Sequence, residues 1–117
     1  MGRHLAFWKY EDGVYLDNQK VYEEVCFDEN IIDGLSALPI DRILSRMSEV
    51  FADYDKLDER NYESSNGSFT VSTTGQSVLF DRGWSMLLTE LNKIIDIMAE
   101  FDCPFYDPQI GTRFDGR

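Results

Sequence analysis

Two carboxylate pairs, Asp53 with Asp55 and Asp58 with Glu59, lie close enough in sequence to divide the roles of general acid and general base. A charge-rich stretch after a helical segment is more often plain solvated surface, and no further part of a catalytic kit accompanies these acids. The string DYDKLDERNYES matches a calcium loop only at Asp53 and Asp55. An EF-hand needs an oxygen ligand where Leu57 sits, glycine where Asp58 sits and an acid where Ser64 sits. One histidine, His4, and two distant cysteines, Cys26 and Cys103, cannot supply a zinc site of ordinary spacing. Phosphate loops and dinucleotide fingerprints are absent from the sequence. His4 reads as a solvated strand residue, and neither thiol has a base beside it, so nucleophilic catalysis lacks its parts. The sequence predicts no cofactor, no metal and no enzyme.

What remains is recognition. The balance of 22 acidic against 11 basic residues gives a net charge of −11. That sign argues against direct contact with nucleic acid or an anionic membrane and makes a basic protein the natural partner. Solubility alone is the competing explanation. The most one-sided cluster is Glu23, Glu24, Asp28, Glu29 and Asp33, with no base between its ends. A second comprises Asp53, Tyr54, Asp55, Asp58 and Glu59. Tyrosine next to acid, as in Tyr22-Glu23-Glu24 and Asp53-Tyr54-Asp55, combines contact area at low entropic cost with carboxylates that steer a basic partner into place.

These residues must be held by a scaffold, and its elements are readable. At 117 residues the chain is expected to form a single domain, 1–117, large enough for a core without staples. Ile40, Ile43, Leu44, Met47, Val50 and Phe51 recur at steps of three and four, predicting a helix that begins near Pro39. Trp84, Leu87, Leu88, Leu91, Ile94, Ile95 and Met98 predict a second over 84–101, released by Gly83 and capped by Ser85. Val21, Tyr22, Val25 and Cys26 suit a short helix capped by Asp17 or Asn18, although VYEEVCF would also pass as a strand.

Strands are expected at His4–Tyr10, with Leu5 and Phe7 facing one way and Ala6, Trp8 and Tyr10 the other. Asp12-Gly13 predicts a hairpin into Val14–Leu16. A three-strand meander follows, entering near Arg60, turning at Asn66-Gly67 and Thr74-Gly75, with Phe69, Val71, Val78 and Phe80 facing in. In the tail, Pro104 and Pro108 allow at most a short edge strand at Phe105-Tyr106, and Phe105, Tyr106, Ile110 and Phe114 are expected to anchor the tail onto the body. The expected fold class is α+β: an antiparallel sheet of about five strands with two main amphipathic helices packed on one face. Free buried thiols, no apolar signal core and no run of ~18 apolar residues predict a soluble, cytoplasmic protein.

The opening LAFWKYEDGVYLDN, the central SFTVSTTGQSVLFD and the ending FDCPFYDPQIGTRFD resemble a group of small acidic bacterial proteins. Some of these look like immunity proteins, the cognate inhibitors made beside secreted polymorphic toxins, including those of contact-dependent growth inhibition. The resemblance implies an inhibitor that binds its toxin's C-terminal domain in the cytoplasm and blocks the active site. Many such toxins are nucleases with basic clefts, where carboxylates of the inhibitor would stand in for phosphate charge. A non-inhibitory, self-associating module is the alternative, and a small carboxylate-dependent enzyme a more distant third.

Overall fold

The computed structural model describes residues 3–58, 60–82 and 86–114. The expected features at Gly83, Trp84 and Ser85, and the side chain of Glu59, lie outside them. Among the described residues the chain forms one antiparallel sheet of seven strands in the order β2-β3-β4-β5-β1-β6-β7. The strands are β1 (Arg3–Trp8), β2 (Asp55–Lys56), β3 (Asn61–Ser64), β4 (Gly67–Thr73), β5 (Ser77–Arg82), β6 (Phe105–Asp107) and β7 (Thr112–Arg113). The α+β class stands, but the expected five strands become seven. The additional outer strands, β2 and β7, have two residues each, too few to create a periodic signal.

β1 lies inside the sheet, fifth of the seven strands, and both of its faces are apolar. Leu5 and Phe7 enter one core, and Ala6 and Trp8 enter another on the opposite side. Antiparallel pairing with β5 (Phe7↔Val78) and with β6 (Ala6↔Tyr106) consumes both edges. The hairpin expected after Asp12-Gly13 is therefore not formed. The turn is present, with Val14 N–H donating to the Glu11 carbonyl at 3.0 Å, but Val14–Leu16 has no strand edge left to join. The tail strand β6 is likewise interior rather than an edge, flanked by β1 and β7. Of the four expected anchors, Tyr106 is fully buried and Phe105 packs against the larger core; Phe114, 55% exposed, stacks on Phe105 at 5.4 Å, and Ile110 is 62% exposed and anchors nothing.

Helices α2 (Ile40–Val50) and α3 (Leu88–Ala99) cover the first face of the sheet. Ile43, Met47, Ile94, Ile97 and Met98 meet Phe7, Phe69, Val71, Val78 and Phe80 in the larger core. Burial of an aliphatic or phenyl side chain contributes roughly 1.5–3 kcal/mol each, so this layer dominates stability. The stripe of α3 begins later than the sequence pattern suggests, since Leu87 and Leu88 are 50% and 75% exposed. In the β3–β4 turn the central residues are Ser65 and Asn66, one position earlier than expected, and Ser64 pairs with Gly67. Gly67 has φ 134° and its missing Cβ would lie 2.5 Å from Met86 Cα, so no other residue fits where the chain approaches α3.

The second face is covered only in part. Helix α1 (Asn18–Val21) starts at Asp17, whose carboxylate accepts from Gln19 N–H at 3.0 Å and Lys20 N–H at 3.2 Å. It continues as a π-helix over Tyr22–Phe27. Val21, Tyr22, Val25 and Cys26 line one face of this segment and pack with Ala6, Trp8, Leu79 and Tyr106 of the sheet. Tyr10 also pairs with Leu35, pinning the following loop against this second core.

Candidate protein-interaction surface

Strand alternation decides which polar residues share the second face. Asp55, Glu63 and Ser68 stand opposite one another across β2, β3 and β4. The next row is Asn61, Thr70, Asp81 and His4, and the row after it brings Ser72 to Leu79 and Ala6. The π-helix covers the sheet over β5, β1 and β6 and leaves the β2–β4 side bare. There a shallow depression of about 410 Å³ is lined by Leu57, Asn61, Glu63, Ser68, Thr70 and Asp81, among others.

The two acidic clusters of the sequence flank this surface from opposite sides. Glu23 and Glu24 lie in the π-helix; Asp28 ends it, with its N–H donating to the Glu23 carbonyl at 3.0 Å. All five acids of that cluster, Glu29 and Asp33 included, are exposed. Glu29 takes the left-handed conformation, φ 58°, which strains a residue of its shape by about 1 kcal/mol. On the far side, Asp53 and Asp55 are exposed beside β2.

Two members of the second cluster have other tasks. Tyr54 is not at the surface, as the sequence reading had it. Its side chain is buried against Phe51 and Phe69, and its hydroxyl donates to Glu90 Oε1 at 2.8 Å. Burial, together with the Glu90 carboxylate, pushes its pKa up to about 12, so it stays a neutral donor. Asp58 accepts from the N–H groups of Arg60 at 2.8 Å and Asn61 at 3.0 Å, which hold its carboxyl below the usual range and use it to close a turn. Sequence reasoning missed Glu63 and Asp81. Strand alternation already aimed them away from Phe69 and Phe80, but nothing local says that this side of the sheet lacks a cover.

Bases are distributed differently. Arg46 pairs with Glu49 at 3.2 Å and Glu100 at 3.0 Å, and Lys93 pairs with Glu90 at 3.0 Å, all on the helix layer. Lys56 reaches Ser48 Oγ at 3.1 Å on that side too. Arg113 lies buried over the rings of Tyr10 and Trp8. Among the described residues, no outward position of β2–β5 on the bare side carries Lys or Arg. Arg82, mostly buried, borders the depression from the helix-side register, and His4 lies at its β1 end, with Nε2 3.7 Å from Asp81 and Nδ1 2.7 Å from the Tyr22 hydroxyl. Burial, followed by Cys26, Tyr106 and Asp81, pushes Tyr22 up to about 12, so the hydroxyl stays protonated.

Burial likewise raises the thiols, Cys26 to about 11 and Cys103 to about 12, which keeps both in the weakly nucleophilic protonated form. No group of three metal-ligating side chains comes together among the described residues, and no described helix is long and apolar enough to cross a membrane. A scan against protein-family models and a search of curated proteins gave no match for this chain.

Proposed function

We propose that this chain is an immunity-type protein that binds a cognate bacterial toxin domain, a nuclease by preference, and occludes its basic active-site cleft with carboxylates. The supporting observation is segregation of charge: acids crowd the π-helix and the bare sheet side, whereas Glu49, Glu90 and Glu100 on the helix layer are met by Arg46 and Lys93. Uncompensated carboxylates held on a rigid sheet raise the association rate of a basic partner and discriminate against acidic ones. The cytoplasm, where such a toxin would act, is the compartment that this reading requires.

Co-expression with the toxin domain encoded beside this protein tests the proposal. Growth rescue and a purifiable complex are expected; loss of both defeats it. Reversing Glu23, Glu24, Asp28, Asp53 and Asp55 together should slow association and flatten its salt dependence, and an unchanged interaction would rule out the electrostatic mechanism.

A second reading, self-association, is favoured by one feature. An apolar groove of about 640 Å³ runs between α3 and β6, lined by Ile95, Ala99, Cys103, Pro104, Phe105 and Phe114. Size-exclusion profiles across a range of protein concentrations separate the two readings, since an inhibitor acting alone elutes at one volume throughout.

A further inference from the structure

The bare side of the sheet has the shape of a seat for one more helix. From β2 to β5, where Leu79 is covered by the π-helix but Asp81 is exposed, it spans three strand spacings, roughly 14 Å, and an α-helix with its side chains is ~10–12 Å across. The π-helix already rests on the same face, over β5, β1 and β6, through Val21, Tyr22, Val25 and Cys26. A second helix laid beside it would complete the layer as α2 and α3 complete the other one. The floor is not apolar, however: Ser68, Thr70, Ser72 and Asn61 present hydroxyl and amide groups, with Glu63 and Asp81 among them. Such a floor fits a helix whose contacting face carries ammonium or guanidinium groups.

Two further observations bear on the occupant, one on its charge and one on its flanks. Asp55 and Glu63 stand directly opposite each other across β2 and β3, an arrangement of like charges that opposes pairing. A lysine or arginine placed between them would remove that repulsion, so the sheet gains from being occupied. Apolar shoulders bound the polar floor, with Leu57 beside β2 at 64% exposed and Phe27 at the end of the π-helix at 53%. The Phe27 ring leans on His4, 5.4 Å between centroids, at the row of Asp81.

We infer that the uncovered β2–β5 face docks a basic α-helical segment of a protein partner, with Asp55, Glu63 and Asp81 receiving its cations and Phe27 and Leu57 gripping its flanks. This deepens the inhibitor reading by naming the surface and the partner element, and it rests on that reading only for the identity of the partner.

The test uses the intact protein and a defined probe, an alanine-based helical peptide of about 18 residues with lysine at every fourth position. Amide chemical-shift changes on titration should concentrate in β3, β4, β5 and around Phe27. The double variant Glu63→Lys/Asp81→Lys should bind the peptide about tenfold more weakly, and Ser68→Trp, which fills the floor without altering charge, should weaken it as well. A control, Asp41→Lys/Asp96→Lys on the helix layer, should bind like the native protein. Equal losses in the control, shifts centred on α2 and α3, or no binding at all would overturn the inference. Growth rescue in the toxin co-expression assay reports separately on the inhibitor reading. Rescue by the native chain that persists in both floor variants defeats the docking surface alone. No rescue by the native chain, with the peptide still mapping to β3–β5, defeats the inhibitor reading alone.

Discussion

The two sides of the sheet are built for opposite purposes. On the helix side, large apolar residues fill the space, and one acid, Glu90, is buried between Tyr54 and Lys93. On the other side the π-helix buries a smaller patch, and the remaining strand positions carry hydroxyls and unneutralised acids. Burial makes the first side the larger source of folding free energy, with a smaller share from the core under the π-helix. The bare strand positions beside that core contribute little to stability and in places oppose it. A surface that costs stability and persists is where selection for binding is to be sought.

The largest expected effect tests whether stability is that unequal. Ile43, on α2, is fully buried in the larger core, so Ile43→Ala should cost about 3 kcal/mol, read as a lower midpoint in urea with little change in slope. Ser72→Ala, on the exposed floor of the other side, should fall within about 0.5 kcal/mol of native. Similar losses for both would abolish the distinction between the two sides.

Glu90 gives a second, smaller contrast because it is the helix layer's buried acid, 3% exposed. Burial works against its ionisation, but hydrogen bonds from Lys93, Tyr54 and Asn66 outweigh burial and hold its pKa below the ordinary glutamate range. A depressed carboxyl pKa in the folded state supplies stability above the unfolded-state value of about 4.3, lost as pH falls through the folded one. Glu90→Gln should therefore cost about 1–2 kcal/mol at pH 7, the scale of hydrogen bonds to a charged group. It should also lose less on acidification below about pH 4 than the native chain does. Denaturation curves at pH 7 and under acid compare the two; parallel pH profiles would contradict the assignment.

Much of the helix side was legible because its signals are local. The period of Ile43, Leu44, Met47 and Val50 describes α2, and the alternation of Phe69 and Val71 with polar neighbours describes β4. The double-sided apolar pattern of Leu5–Trp8 fits the interior position that β1 takes, covered on both faces. What failed depended on distant partners. Tyr54 looked like an interface residue until Glu90, 36 positions away, was found under its hydroxyl. Val14–Leu16 lost its expected pairing because β5 and β6, far along the chain, took both edges of β1. Of the interaction surface, the sequence held the acidic clusters but not the floor between them. That floor exists only because β2–β5 extend past the reach of one short π-helix.

The smallest effect in energy is the sharpest separator of the two sides. Asp55→Lys converts a like-charge cross-strand pair with Glu63 into an opposite-charge one, at an exposed edge where no core contact is disturbed. Cross-strand pairs of this kind are worth roughly 0.2–1 kcal/mol, so the variant should be slightly more stable than the native chain, by up to about 1 kcal/mol. Salt screens exposed charges, and the gain should shrink between low and high ionic strength. The same substitution puts a cation where a basic partner must bring its own. Association should slow accordingly, with a weaker dependence on salt than the native complex shows. Stability rising while binding falls is the outcome that a surface kept for recognition requires. If both rise or both fall together, Asp55 belongs to the scaffold, and the functional side of the sheet has to be drawn without it.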